Sequence, residues 1–230
     1  MNSQPIVALI PIKANSQRLA GKNFLLYNGR PLYQTMLDTL SQVPEIEKVV
    51  VNTDSKDIAD YCKALGDKYC VIERPKSILG DIVTMNTIIE HDLSIIEGRH
   101  FLQTHVTNPL LQASTISAAI EQYLEQISNK DSLFSASVIK KRVYDTDIKA
   151  INHSNEELEQ TQDLQDIFME NSNLFIFSRS SFKENGNSRI GRSPSVFCMN
   201  EYEGIDIDHS EDLHLANLIN QNRSLFGLMD

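Results

Sequence analysis

The sequence predicts an α/β fold built on a mostly parallel sheet covered on both faces, and three observations predict it. Short β-rich runs at Ile6–Pro11, Lys48–Thr53 and His100–Thr104 alternate with stretches of helical spacing, the signature of βαβ units. The helical stretches carry start and stop signals of their own. Hydrophobic residues make up 41% and charged residues 23% of 230 residues, the balance of a folded globular chain rather than a disordered one.

Taken in order, Ile6–Pro11 is the first strand. Pro31 opens a helix at its first turn, and Leu32, Met36, Leu37 and Leu40 follow at three- and four-residue spacing. After the strand Lys48–Thr53, Ser55 has the chemistry of an N-cap; Ile58, Ala59, Cys62 and Leu65 form a stripe, and Gly66 stops the helix. His100–Thr104 is the next strand. Beyond Ser128 the rhythm changes: Leu133–Ile139 reads as a strand, but Lys140–Phe168 is polar and irregular and reads as an excursion from the sheet. Strands are expected again at Leu174–Phe177 and Ser195–Met199, with a very short one at Ile205–Ile207. A last helix starts near Ser210, with Glu211 and Asp212 in its first turn and Leu213, Ala216, Leu218 and Ile219 facing inward. There are no repeats or linkers, so a single domain is expected.

A formal charge of −10 excludes general binding to nucleic acid or anionic lipid, which needs a dense Lys/Arg surface. The apolar run Ile6–Ile10 is too short for a secretion signal, and nothing reaches the roughly 20 apolar residues of a membrane span, so the expected location is the cytoplasm. Cys62, Cys70 and Cys198 form no CxxC pair and are expected as free thiols.

Two places carry chemistry. The loop from Ile12 to Asn23 follows the first strand, where α/β sheets bind ligands, and it holds Lys13, Arg18 and Lys22. A triphosphate and a departing pyrophosphate need such fixed positive charge. A solvated basic loop is the alternative; the Walker A and GxGxxG patterns are both absent. The second place is Ile205-Asp206-Ile207-Asp208. On a strand this spacing puts both carboxylates on one face and buries the isoleucines on the other; like charges there call for a cation, and hard oxygen ligands suit Mg²⁺. An N-cap cluster at Asp208, Ser210 and Glu211 is the alternative reading.

The order Ile10-Pro11-Ile12-Lys13-Ala14-Asn15-Ser16-Gln17-Arg18-Leu19-Ala20-Gly21-Lys22-Asn23 resembles the signature I-P-A-R-x-x-S-K-R-L-P-x-K-N of the acylneuraminate and 3-deoxy-octulosonate cytidylyltransferases. Lys13, Gln17 and Ala20 stand where Arg, Lys and Pro are commoner. The resemblance continues through Val49–Asp54, Glu73-Arg74-Pro75 with Asp81, Phe101–Leu110, Asn171–Phe177 and Gly204–Asp212. It implies a Rossmann-like three-layer nucleotidyltransferase fold over 1–230, with an excursion at about 130–170 that makes a homodimer. It implies transfer of CMP from CTP to an acidic nonulosonic or ulosonic sugar, with release of pyrophosphate, for surface glycans.

By the same resemblance, Lys22, Lys13 and Asn23 act in catalysis. Pro11, Lys13, Asn15, Ser16, Arg18, Lys22, Asn23, Arg74 and Asp81 border the nucleotide, Gln103, His105 and Asn173 border the sugar, and Asp206 and Asp208 hold Mg²⁺. His105 is open to a structural as well as a basic role. The sugar carboxylate needs a cation, and Lys140, Lys141, Arg142, Arg179 and Arg189 are the candidates. A sugar-1-phosphate nucleotidyltransferase using another nucleotide, or a non-catalytic homologue, are the competing functions.

Overall fold

A strand buried on both faces must be apolar on both, and Ile6–Leu9, the first strand (β1), is buried at every position. Its alternate residues feed two separate cores. Ile6, Ala8 and Ile10 pack with Met36, Ile58 and Ile120 on one side, while Val7 and Leu9 pack with Ile89, Leu93 and Phe182 on the other. That division makes three layers out of one sheet.

The computed structural model describes residues 4–16, 18–80, 82–157 and 159–228. Gln17 and Asp81 lie outside the described residues. After β1 come the short strands β2 (Leu26–Tyr27) and β3 (Arg30–Pro31), which pair only with each other. The chain continues as α1 (Leu32–Ser41), β4 (Ile46–Thr53), α2 (Lys56–Ala64), β5 (Tyr69–Glu73), α3 (Met85–Ile95), β6 (His100–Gln103) and α4 (Ala113–Gln126). It ends with β7 (Ser132–Ile139), β8 (Ile167–Ser178), α5 (Arg179–Glu184), β9 (Pro194–Cys198) and α6 (Ser210–Gln221). The seven-stranded sheet has the order β5-β4-β1-β6-β8-β7-β9. Its pairs are parallel except those of β8, which runs antiparallel to β6 and β7.

The start and stop signals hold, but the buried stripe of α2 narrows to Ile58 and Cys62, with Leu65 exposed just past the helix end. Ser55 caps α2 by accepting from Ile58 N, Gly66 follows the helix at φ 101°, and α6 begins at Ser210. Two further expectations change. Ile205–Ile207 is not a strand: Ile207 donates to the Thr107 carbonyl at 2.8 Å, but the segment does not join the sheet. Leu218 is exposed rather than inward, leaving Ala216 and Ile219 as the buried positions of α6.

The excursion is shorter than expected, because β8 begins at Ile167 and pairs with β7 as far out as Ile139. What lies between is tied together by buried Asn152, whose Nδ2 donates to the carbonyls of Lys141 and Gln165. From β1 the chain winds outward to β4 and β5, then crosses back to place β6 on the other side of β1. The reversal opens a crevice beyond the carboxyl ends of β1 and β6.

Candidate active site

The loop leaving β1 is anchored before it carries charge. Ile12 N donates to Asn52 O at 2.9 Å, and Ala14 N donates to Asp54 Oδ1 at 2.7 Å. Asn23 Nδ2 donates to the Lys13 carbonyl at 2.7 Å, closing the loop on itself. Gly21 takes a positive φ of 63° that starts a 3-10 turn over Lys22–Phe24, and this turn aims Lys22 back across the crevice.

The aim has a target. Lys22 Nζ lies 2.9 Å from Asp208 Oδ1, and Arg18 pairs with the other oxygen of the same carboxylate. Asp206 stands beside them and bonds to the Thr107 side chain. It opens to solvent, yet the surrounding protein raises its carboxyl above the usual range; Asp208 raises it further, while Thr107 and Lys22 lower it. The two acids therefore lie close enough to act on each other, without a sheet to hold them.

A cavity of about 390 Å³ sits here, lined at one end by Lys13, Ser16, Arg18 and Lys22, with Pro11 and Asn23 beneath. Its lining also includes Arg74 and the apolar Val83, Met85 and Ile88, so cationic and apolar side chains share one cavity. Asn15 is exposed and does not line it. Arg74 is buried, not a surface ion-pair partner. Its Nε donates to Asn52 Oδ1 at 2.6 Å and its Nη2 to Asn52 O at 2.9 Å.

His105 joins this cavity to a second polar group. Gln103, fully buried at the end of β6, accepts from Arg189 Nη1 on its Oε1 and donates from Nε2 to Thr104 O at 2.9 Å. The amide is thereby oriented, so the nitrogen that faces His105 Nε2 at 3.2 Å is a donor and the imidazole is the acceptor. Its proton belongs on Nδ1. Burial, with Arg189 and Lys22 nearby, pushes the His105 pKa down to about 4, so the ring is neutral at pH 7. With its Nε2 lone pair engaged, His105 is a hydrogen-bonding group rather than a base.

Arg189 itself is held by Gln103 and by the ring of Phe175, whose centroid is 3.6 Å from the guanidinium carbon. Register places Asn173 in the same neighbourhood: Phe175 pairs with Gln103, and β8 runs antiparallel, so Asn173 passes beside the chain leaving β6. Its side chain is 0% exposed, and neither its Oδ1 nor its Nδ2 has a partner among the described residues. Such orphaned atoms mark a place where a polar ligand or water completes the bonding.

Of the cations considered for a sugar carboxylate, only Arg189 lies at this group. Arg179 is at the other end of β6 and spends its guanidinium on the carbonyls of Leu93, Ile96 and Gly98. Lys140 pairs with Asp166, and Arg142 donates to the Glu159 carbonyl, both within the excursion; Lys141 is exposed beside them. Asn52, Thr107 and the pairing of Arg189 with Gln103 escaped the sequence reading, because each depends on contacts between distant segments.

Comparison with known proteins agrees with this geometry. A family model described as Cytidylyltransferase matches residues 7–227. The chain is similar to the N-acylneuraminate cytidylyltransferase of Escherichia coli, 26% identical over 235 residues covering 95% of this chain and 53% of that protein. It therefore spans about half the length of that relative. It is also similar to the pseudaminic acid cytidylyltransferase of Campylobacter jejuni, 22% identical over 93% of this chain and 95% of that one. Among solved structures, a CMP:2-keto-3-deoxy-manno-octonic acid synthetase complexed with CTP superposes with a TM-score of 0.68 at 15% identity, covering 96% and 100% of the two chains.

Proposed function

The chain belongs to the cytidylyltransferase family, and we propose that it joins CMP from CTP to a hydroxyl of an acidic nonulosonic or ulosonic sugar, releasing pyrophosphate. The observation that carries this reading is the convergence of Lys13, Arg18 and Lys22 on one cavity that apolar side chains also line. The cations suit a triphosphate, and the apolar groups suit a base.

The sugar hydroxyl attacks the α-phosphorus and gives its proton to water, the bond to the β-phosphate oxygen breaks, and charge grows on the departing pyrophosphate. Positioning and charge neutralisation supply most of the catalysis in such transfers. Lys22 can exchange its bond to Asp208 for a phosphate oxygen with little movement, and Arg18 and Lys13 extend the positive field along the leaving group. Asn23 keeps the Lys13 carbonyl, and with it the loop, in place.

Asp206 and Asp208 fit Mg²⁺. They offer hard oxygen donors beside the cavity-lining Lys22 and Thr107, and burial, with the charge of Asp208 added, raises the Asp206 pKa, a cost that a cation would relieve. When bound, Mg²⁺ would neutralise charge on the phosphates. Chelation should then abolish turnover, and Asp206→Ala should raise the Mg²⁺ requirement or eliminate activity while the protein stays folded.

Arg189, beside Gln103 and orphaned Asn173, is the cation best placed for the sugar carboxylate. A homodimer is supported by Val138, Phe168 and Met169, exposed on the outer half of the β7–β8 pair, with Ile148 and Ile151 exposed in the excursion. No helix among the described residues is long and apolar enough to cross a membrane. A cytoplasmic reaction making activated sugars for surface glycans accords with a nucleoside triphosphate substrate and three free cysteines. The test is CTP-dependent pyrophosphate release across a panel of sialic, legionaminic, pseudaminic and octulosonic acids. Release with at least one is expected, and release only with neutral sugar phosphates would overturn the reading.

A further inference from the structure

Arg74 reaches the cavity from a buried polar chain that the reaction chemistry does not by itself require. Its Nε and Nη2 both bond to Asn52, one to the side-chain oxygen and one to the backbone carbonyl. With Oδ1 so engaged, the Asn52 amide must present its nitrogen the other way, and Nδ2 donates to Asp92 Oδ1 at 2.5 Å. Asn52 and Asp92 are each 0% exposed. Three elements contribute: Asn52 lies on β4, Asp92 on the inward face of α3, and Arg74 just past β5.

We propose that Asn52 and Asp92 are positioning residues for nucleotide binding, which fix Arg74 in the cavity while keeping its charge available to the ligand. The proposal rests on the reading that the cavity takes CTP. A carboxylate in direct contact would pair with the guanidinium fork and neutralise it locally. Interposing a neutral amide holds the same fork at Nε and Nη2 and leaves the charge of Asp92 one side chain further off, while Asp54 acts on the guanidinium only through space. The amide cannot flip, because a guanidinium at one end demands its oxygen and a carboxylate at the other demands its NH₂.

A packing role alone accounts poorly for this arrangement. Burying a carboxylate is costly, the Oδ2 of Asp92 has no partner among the described residues, and burial raises its pKa. An apolar residue would fill that position at lower cost, so stability does not explain the acid; orientation of Arg74 does.

The experiment is calorimetric titration of CTP into the wild-type protein and into Asn52→Ser, Asp92→Asn, Arg74→Gln and the Asn52→Ser/Arg74→Gln double variant. Thermal midpoints and the KM for each substrate are measured alongside. Each single change should weaken CTP about tenfold, the scale of one hydrogen bond to a charged group. KM for CTP should rise with KM for the sugar unchanged, and Asp92→Asn should melt no lower than wild type. The double variant should bind CTP no more weakly than Arg74→Gln alone, since Asn52 acts through Arg74. Wild-type affinity in Asn52→Ser, or multiplied losses in the double variant, overturns the proposal and leaves the cavity reading intact. If Asn52→Ser does not fold, Asp92→Asn asks the same question from the other end of the chain. A wild-type protein that fails to bind CTP refutes the cavity reading itself, and the proposal falls with it.

Discussion

The two sides of the crevice handle positive charge in opposite ways. On the β1-loop side, Arg18 reaches into solvent and shares the carboxylate of Asp208 with the largely covered Lys22, an arrangement that an arriving anion can displace. On the β6 side, Arg189 is half-buried, stacked on Phe175 and bonded to a neutral amide, and burial pulls its pKa down to about 10. The first side is adjustable and suits a triphosphate that arrives whole and leaves in two parts. The second is preorganised and suits recognition of one fixed group. Charge at an open rim serves turnover, whereas charge embedded in a packed wall serves selection.

The contrast is broken most severely at Lys22. Lys22→Ala removes the cation that bridges the loop to Asp208, and kcat should fall by about a hundredfold or more while CTP binding declines less. Rates within a few fold of wild type would show that the open side does not act on the leaving charge. At Arg189 the expected signature is the reverse. Arg189→Gln should raise the apparent KM for the sugar acid by about tenfold and leave that for CTP unchanged. A joint rise in both would mean that the two sides are not separate.

A third variant touches the preorganised side without touching ligand. The loop carrying Arg189 is pinned by Asp131, whose carboxylate accepts from the backbone N–H groups of Arg192 at 2.8 Å and Ser193 at 3.1 Å. Gly191 passes so close that an added Cβ would lie 2.0 Å from Asp131 Oδ1. Gly191→Ala must push that carboxylate away, and should lower stability by about 2 kcal/mol and raise the sugar KM. Denaturant unfolding and kinetics check the two effects; a loss of stability with unchanged sugar KM would mean that the loop does not set Arg189.

The same contrast explains what the sequence disclosed. The cationic loop was legible because its charges lie within ten residues of one another and recur in a known order. The acidic pair was legible from its alternation, although the expected strand proved to lie outside the sheet, tied to Thr107 by the Ile207 N–H and to the Asn108 side chain by the Ile205 carbonyl. The preorganised side was not legible: Gln103 and Arg189 are 86 residues apart, and an amide bonded to an arginine leaves no pattern in either segment. The sheet's far half was partly hidden for a related reason. Residues 167–173 of β8 are mostly exposed and polar, so the apolar run that announces the strand begins only at Leu174.

The smallest expected effect is at His105, where the two sides meet. Its folded pKa of about 4 lies below the ordinary histidine value of 6.5, so between those limits the unfolded chain binds more protons than the folded one. Stability from this group is therefore complete above pH 6.5 and is lost as pH falls toward 4, by at most about 3 kcal/mol. Other groups titrate in acid as well: burial lowers His100 below the ordinary imidazole value and raises the carboxyls of Asp92 and Asp206 above theirs. Asp131 responds only further down: burial raises its carboxyl, but the bonds from Arg192 and Ser193 outweigh this and hold it below the usual carboxylate range. The informative quantity is thus the difference between wild type and His105→Gln, which cannot titrate, compared by denaturant unfolding at pH 7.5 and 5. The wild type should lose more stability over that interval than the variant, and no limb near pH 6.5 in kcat/KM should be attributable to this ring. Equal losses would mean that His105 is protonated in the folded protein, and that the Gln103 amide does not hold it as a neutral acceptor.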